Sequence, residues 1–108
     1  MSAQLDFVSI QKKPNIHFEG RSISYLIECA DGSKKTLGVL LPTQKPLKFK
    51  THVSEHIEII SGHCLVKIGD ESEFEDYQAG ESFDVPADQY FSMMTDTVVD
   101  YVCHLKNG

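Results

Sequence analysis

The sequence predicts an all-β fold, a small barrel or sandwich, and three observations carry that expectation. Apolar and polar residues alternate with a period of two over most of the chain after Gly20, the pattern of half-buried strands. Turn-forming residues interrupt these runs at short intervals, at Ser61-Gly62, Gly69-Asp70, Ala79-Gly80, Pro86-Ala87-Asp88 and Asp96. No stretch carries a helical apolar stripe with caps at both ends. Many short strands within 108 residues leave room for one domain of this class and no second.

Residues 1–14 read as an arm ahead of a single domain over 15–108. Ser9, Gln11, Lys12 and Lys13 are polar, and Pro14 suits neither a helix nor a central strand. Leu5, Phe7, Val8 and Ile10 are available to dock on a surface or a partner chain. The first domain strand covers 23–29: Ile23, Tyr25, Ile27 and Cys29 alternate with Ser22, Ser24 and Glu28, and Leu26 breaks the pattern. Ala30-Asp31-Gly32 is a turn, because Asp-Gly supplies the positive φ of a tight hairpin. A strand over 35–41 stops at Pro42, and a loop runs to Pro46. Further strands are expected over 47–51, 55–61, 64–68, 73–77, 82–85, 90–95 and 98–105.

Ten Lys and Arg against sixteen Asp and Glu leave a net charge of −6. That excess argues against nucleic acid as a partner, since binding it requires a basic face, and against an anionic membrane surface. Apolar residues make up 41% of the chain, enough for an ordinary core. The apolar run over 37–41 is far too short to span a bilayer, and no basic segment followed by an apolar one opens the chain. Cys29, Cys64 and Cys103 form neither a CxxC pair nor a disulfide framework. Three reduced thiols in a cytoplasmic core are expected.

Two turn-centred segments locate the fold. In the first, Glu55 is followed after six residues by Gly62; in the second, Gly80 is followed after five residues by Pro86. These spacings resemble the two motifs of the cupin superfamily, so the expected architecture is a single-domain cupin (jelly-roll) barrel. Each Gly permits a tight turn, and Pro86 ends a strand where no ladder N–H is needed. Metal-binding cupins place two His before the Glu and a third after the Pro; this chain has Phe49, Thr51 and Phe91 there. His52 and His56 are each one position off, which on a strand turns them to the opposite face. One carboxylate cannot assemble a transition-metal site, so no metal or other cofactor is expected.

A closer resemblance covers about 15–105. Asn15-Ile16-His17-Phe18-Glu19-Gly20, the segment 30–42, Phe49, Thr51, Glu55, Tyr77, Ala79-Gly80-Glu81-Ser82-Phe83, Val85-Pro86-Ala87, Phe91, Tyr101 and Cys103 look like the pyrimidine/purine nucleoside phosphorylase family. The loop after Pro42 is longer by about two residues than the family pattern, and residues 1–14 are additional. The resemblance implies that a nucleoside and inorganic phosphate yield a free base and ribose 1-phosphate. A non-catalytic small-molecule-binding cupin and a metal-dependent cupin oxygenase or isomerase are the alternatives.

That chemistry sets requirements. Breaking an N-glycosidic bond builds positive charge on the sugar and negative charge on the base, while phosphate is already a nucleophile; the protein must hold, orient and stabilise. On the strand that begins at Glu55, the odd positions Glu55, Ile57 and Ile59 form an apolar face with one carboxylate. Glu55 is the candidate catalytic residue, able to bond ribose hydroxyls or to balance sugar charge. An inward carboxylate is satisfied either by the fold, through Thr51 or Tyr101, or by substrate. Phe83 and Phe91 are candidates to stack the base, and Thr51 and Tyr101 are candidates to bind substrate through a hydroxyl and a phenol, although the three aromatic residues equally suit a core. Arg21 is the candidate for phosphate, because a guanidinium grips it in two-pronged fashion. A homodimer is expected, since small sheets cover exposed edges by association.

Overall fold

The computed structural model describes residues 3–106. Met1 and Ser2 of the expected arm, and Asn107 and Gly108 of the expected domain, lie outside the described residues. Eleven strands follow in order: β1 (Val8–Ile10), β2 (Asn15–His17), β3 (Ser22–Cys29), β4 (Lys34–Leu40), β5 (Leu47–Lys50), β6 (Glu55–Ser61), β7 (His63–Ile68), β8 (Glu75–Gln78), β9 (Ser82–Val85), β10 (Tyr90–Met94) and β11 (Val99–Leu105). One sheet has the order β1-β3-β4-β11-β6-β9, with β2 also on β3; the other has the order β5-β10-β7-β8. The all-β jelly roll expected from the sequence is what forms. Its two sheets make a sandwich and do not close into a continuous barrel. No helix among the described residues is long and apolar enough to cross a membrane.

Strands β3 to β11 coincide with the nine expected strands to within about two residues at each end. Strands β1 and β2 were not anticipated, and they divide the edge of β3 between them. Ile10 pairs with Ile27 and Asn15 with Ser24, so residues 11–14 bulge from the ladder. Pro14, which has no N–H to give, sits in that break. The later part of the arm thus extends the sheet. At the β3–β4 hairpin Gly32 has φ +87°, and the Asp31 carboxylate accepts from the Ser33 amide and hydroxyl. Gly62 makes the β6–β7 turn at φ +80°, and a Cβ there would collide with the Val98 carbonyl oxygen.

The core lies between the sheets: Leu40, Ile57, Ile59, Cys64, Val66, Val85 and Val99 are almost wholly buried. Each such aliphatic side chain contributes roughly 1.5–3 kcal/mol on leaving water. Register places three transverse rows on the inner face of the larger sheet. Ser24 faces Gly38, which faces Tyr101, which faces Ile59. The next row runs Leu26, Thr36, Cys103, Ile57, Phe83. In the third, Leu105 faces Glu55, which faces Val85.

Candidate functional site

Where these rows meet the facing sheet they leave a cleft of about 140 Å³. One wall, from the larger sheet, is polar, with Ser22, Ser24, Thr36, Glu55, Tyr101 and Cys103 beside the apolar Ile57 and Leu105; the other is apolar, with Phe49, Phe91 and Met93, and His17 joins from β2. A larger hollow of about 270 Å³ beside His63 and Asp76 shares no residue with this cleft.

Glu55 opens β6 and stays half-buried. Its Oε1 accepts the Cys103 thiol at 3.1 Å, a weak donor and the one side-chain partner of this carboxylate among the described residues. Burial pushes the Glu55 carboxyl above its ordinary value; the Cys103 hydrogen bond and the charge of nearby His52 pull partly back. Burial lifts the Tyr101 phenol to about 12, against an opposing hydrogen bond from Ser22. Tyr101 therefore stays a neutral donor at physiological pH. Burial, and then the charge of Glu55, also raise the Cys103 thiol, which stays protonated. Burial takes Cys64 to about 12. Neither thiol is poised as a nucleophile.

Opposite Glu55, two of the three positions where the metal-binding motif has imidazoles carry phenyl rings. Phe49 pairs with Phe91 in register, and their rings stack at 5.3 Å with 21° between planes. His56 faces outward and binds Asp84 at 2.8 Å, as the alternation along β6 requires. Among the described residues no three His, Cys, Asp or Glu side chains converge on one point.

Of the six candidates, the fold brings Glu55, Phe91 and Tyr101 to the cleft. The other three do not line it. Thr51 is fully buried: its hydroxyl donates to the Pro86 carbonyl at 2.5 Å and accepts from the Gln89 amide at 3.1 Å. It pins the β5–β6 loop to the β9–β10 loop. Phe83 packs in the core with its ring 4.8 Å from Tyr77. Arg21 is exposed, donates to the Pro42 carbonyl at 3.4 Å and lines a separate groove with Phe18, Pro42 and Lys45.

Sequence reasoning missed Ser22, Ser24 and Thr36. On β3 the alternation pointed to Ile23 and Tyr25 as the inner face, yet Ser22 and Ser24 are buried and Tyr25 is exposed. Gly38 was the available signal, because a glycine within a strand marks a close approach. The Tyr101 ring lies directly over it.

The fold these observations define is a jelly-roll sandwich with a half-polar, half-aromatic cleft between its two sheets. The fold agrees with a variant of Bacillus subtilis oxalate decarboxylase, which superposes with a TM-score of 0.68 at 15% identity, over 89% of this chain and 28% of that one. Residues 12–105 match the family model described as pyrimidine/purine nucleoside phosphorylase. The chain belongs to that family. A pyrimidine/purine nucleoside phosphorylase of Acinetobacter baylyi is 55% identical over 105 residues, 97% of each chain. A crystal structure of a protein of unknown function from an Acinetobacter species superposes with a TM-score of 0.95 at 55% identity, covering 97% of this chain and all of that one.

Proposed function

We propose that the cleft binds nucleosides of both base classes and supports their phosphorolysis without a metal. A phosphate oxygen bonds to C1′ as the C1′–N bond breaks; the electron pair leaves with the base, which takes up a proton. The observation that supports this reading is Glu55, a half-buried carboxylate whose protein partner is a thiol, facing stacked aromatic rings across the cleft. Its free acceptor capacity suits ribose hydroxyls, and in the ionised form it offsets charge developing on the sugar. The Tyr101 phenol and the hydroxyls of Ser22, Ser24 and Thr36 supply the donors. No Lys or Arg lines the cleft among the described residues, and Arg21, the candidate for phosphate, stands on the separate groove that shares Phe18 with the cleft's aromatic side. Incubating the protein with uridine or adenosine, with and without phosphate, tests the proposal. Base release that requires phosphate is expected; release without phosphate, or only after iron or manganese is added, overturns it.

We further propose a homodimer through the outer face of the larger sheet. Phe7 is 90% exposed and stands beside an apolar groove of about 420 Å³ lined by Leu5, Ile10, Leu37, Ile60 and Val102. A knob and a groove on one face are self-complementary, as a two-fold contact requires. Sedimentation at micromolar concentration is expected to show a dimer that Phe7→Ser shifts toward monomer. A monomeric parent protein refutes the dimer.

A further inference from the structure

We infer that the cleft encloses only the pentose of its substrate and leaves the base at an aromatic rim, so that nucleosides enlarged on the base are turned over while those enlarged on the sugar are not. The inference rests on the phosphorolysis proposed above. Its first ground is size. A cleft of about 140 Å³ is well below the roughly 300–1,000 Å³ of pockets that enclose a drug-sized ligand. Part of a nucleoside must stay outside.

The distribution of chemistry says which part. The buried groups, Ser22, Ser24, Tyr101 and Cys103, with Glu55 and Thr36 beside them, match a polyol. The opposite side is aromatic: Phe91 stacks on Phe49, and Phe18 meets Phe49 edge-on at 5.1 Å. Phe18 is 37% exposed, and the chain holds it there in a left-handed turn, with φ +53° at Phe18 and +55° at Glu19. Side chains other than glycine seldom adopt that conformation, and where they do it clusters at ligand sites. Aromatic rings stack on any base without reading its edges. Beyond Phe18 a second groove of about 400 Å³, with Arg21, Lys45 and Leu47, gives a substituent on the base somewhere to go.

Three nucleosides test this in the presence of phosphate: uridine, uridine with an aryl group on base carbon 5, and uridine with the same group on the 5′ oxygen. The base-enlarged compound is expected within about tenfold of uridine in kcat/KM, and the sugar-enlarged one more than about a hundredfold below it. The reverse order, or equal losses, overturns the inference. Phe49→Ala is expected to raise KM about tenfold for uridine and adenosine alike, with kcat kept and Phe49→Tyr close to the parent. A change above about tenfold in the ratio of purine to pyrimidine activity overturns it. If uridine releases no base at all, phosphorolysis fails, and the pentose placement is still decided by saturation-transfer NMR with uridine. Strongest transfer to pentose protons supports the placement, and strongest transfer to base protons overturns it.

Discussion

Glu55→Gln is expected to lower kcat/KM for uridine phosphorolysis at least about tenfold, equivalent to about 1.4 kcal/mol of transition-state stabilisation, while the protein still folds. Gln keeps the size and an acceptor for the Cys103 thiol and loses the charge. The pH dependence has a definite sign. Burial raises the Glu55 carboxyl above 4.5, so the folded protein binds this proton more tightly than the unfolded chain does. The stability that the neutral form contributes is complete below 4.5 and is lost as pH rises through the raised value. Glu55→Gln should therefore match the parent in Tm at low pH and exceed it at neutral pH. Activity that uses the carboxylate runs the other way, rising with pH through the same value, and the variant should lack that limb. Near-normal turnover in Glu55→Gln, with an unchanged pH profile, would assign Glu55 to structure alone.

Gly38→Ala is expected to destabilise the fold by about 1–3 kcal/mol, the usual cost of forcing a side chain into a filled space, and to cut activity with it. A Cβ at position 38 would stand 2.5 Å from the Tyr101 Oη and 2.7 Å from its Cε1. Tyr101 is the cross-strand partner of Gly38 and is buried, so it cannot yield without leaving the polar wall. At roughly 4–8 °C per kcal/mol for a domain of this size, the loss is visible in a melt. The check is a double-mutant cycle with Tyr101→Leu, which removes the phenol that the new methyl strikes. Coupling of about 0.5–3 kcal/mol is expected. Additive effects would mean that Tyr101 is not seated on Gly38.

The motifs that were legible are those whose physics is local. Glu55, Gly62, Gly80 and Pro86 kept their spacing because two glycine turns and a strand-ending proline are needed wherever this jelly roll forms; Gly62 and Gly80 both have positive φ. Phe49 and Phe91 were visible as replacements for imidazoles, though not as a stacked pair, because they lie 42 residues apart and meet through β5–β10 register. Thr51 shared the motif and was read as facing substrate. Its hydroxyl turned instead to Pro86 and Gln89, two groups whose approach only the closed loops create.

Period-two alternation established by itself that this chain is a set of strands with two unlike faces, and the motif spacing established which jelly roll they form. Alternation does not say which face is the interior. On β3 the apolar side Ile23, Tyr25 and Ile27 lies outward, with Ile27 buried in part by the arm strand β1 that pairs beside it. The inward Ser22 and Ser24 are tolerated there because both line the polar side of the cleft, with Tyr101 beside them, and no buried side-chain polar atom among the described residues lacks a partner. Burial of a polar group is decided by what stands opposite it, and what stands opposite Ser22 and Ser24 comes from the other end of the chain, on β11. Tertiary structure alone could therefore choose the face, and with it the wall of the site.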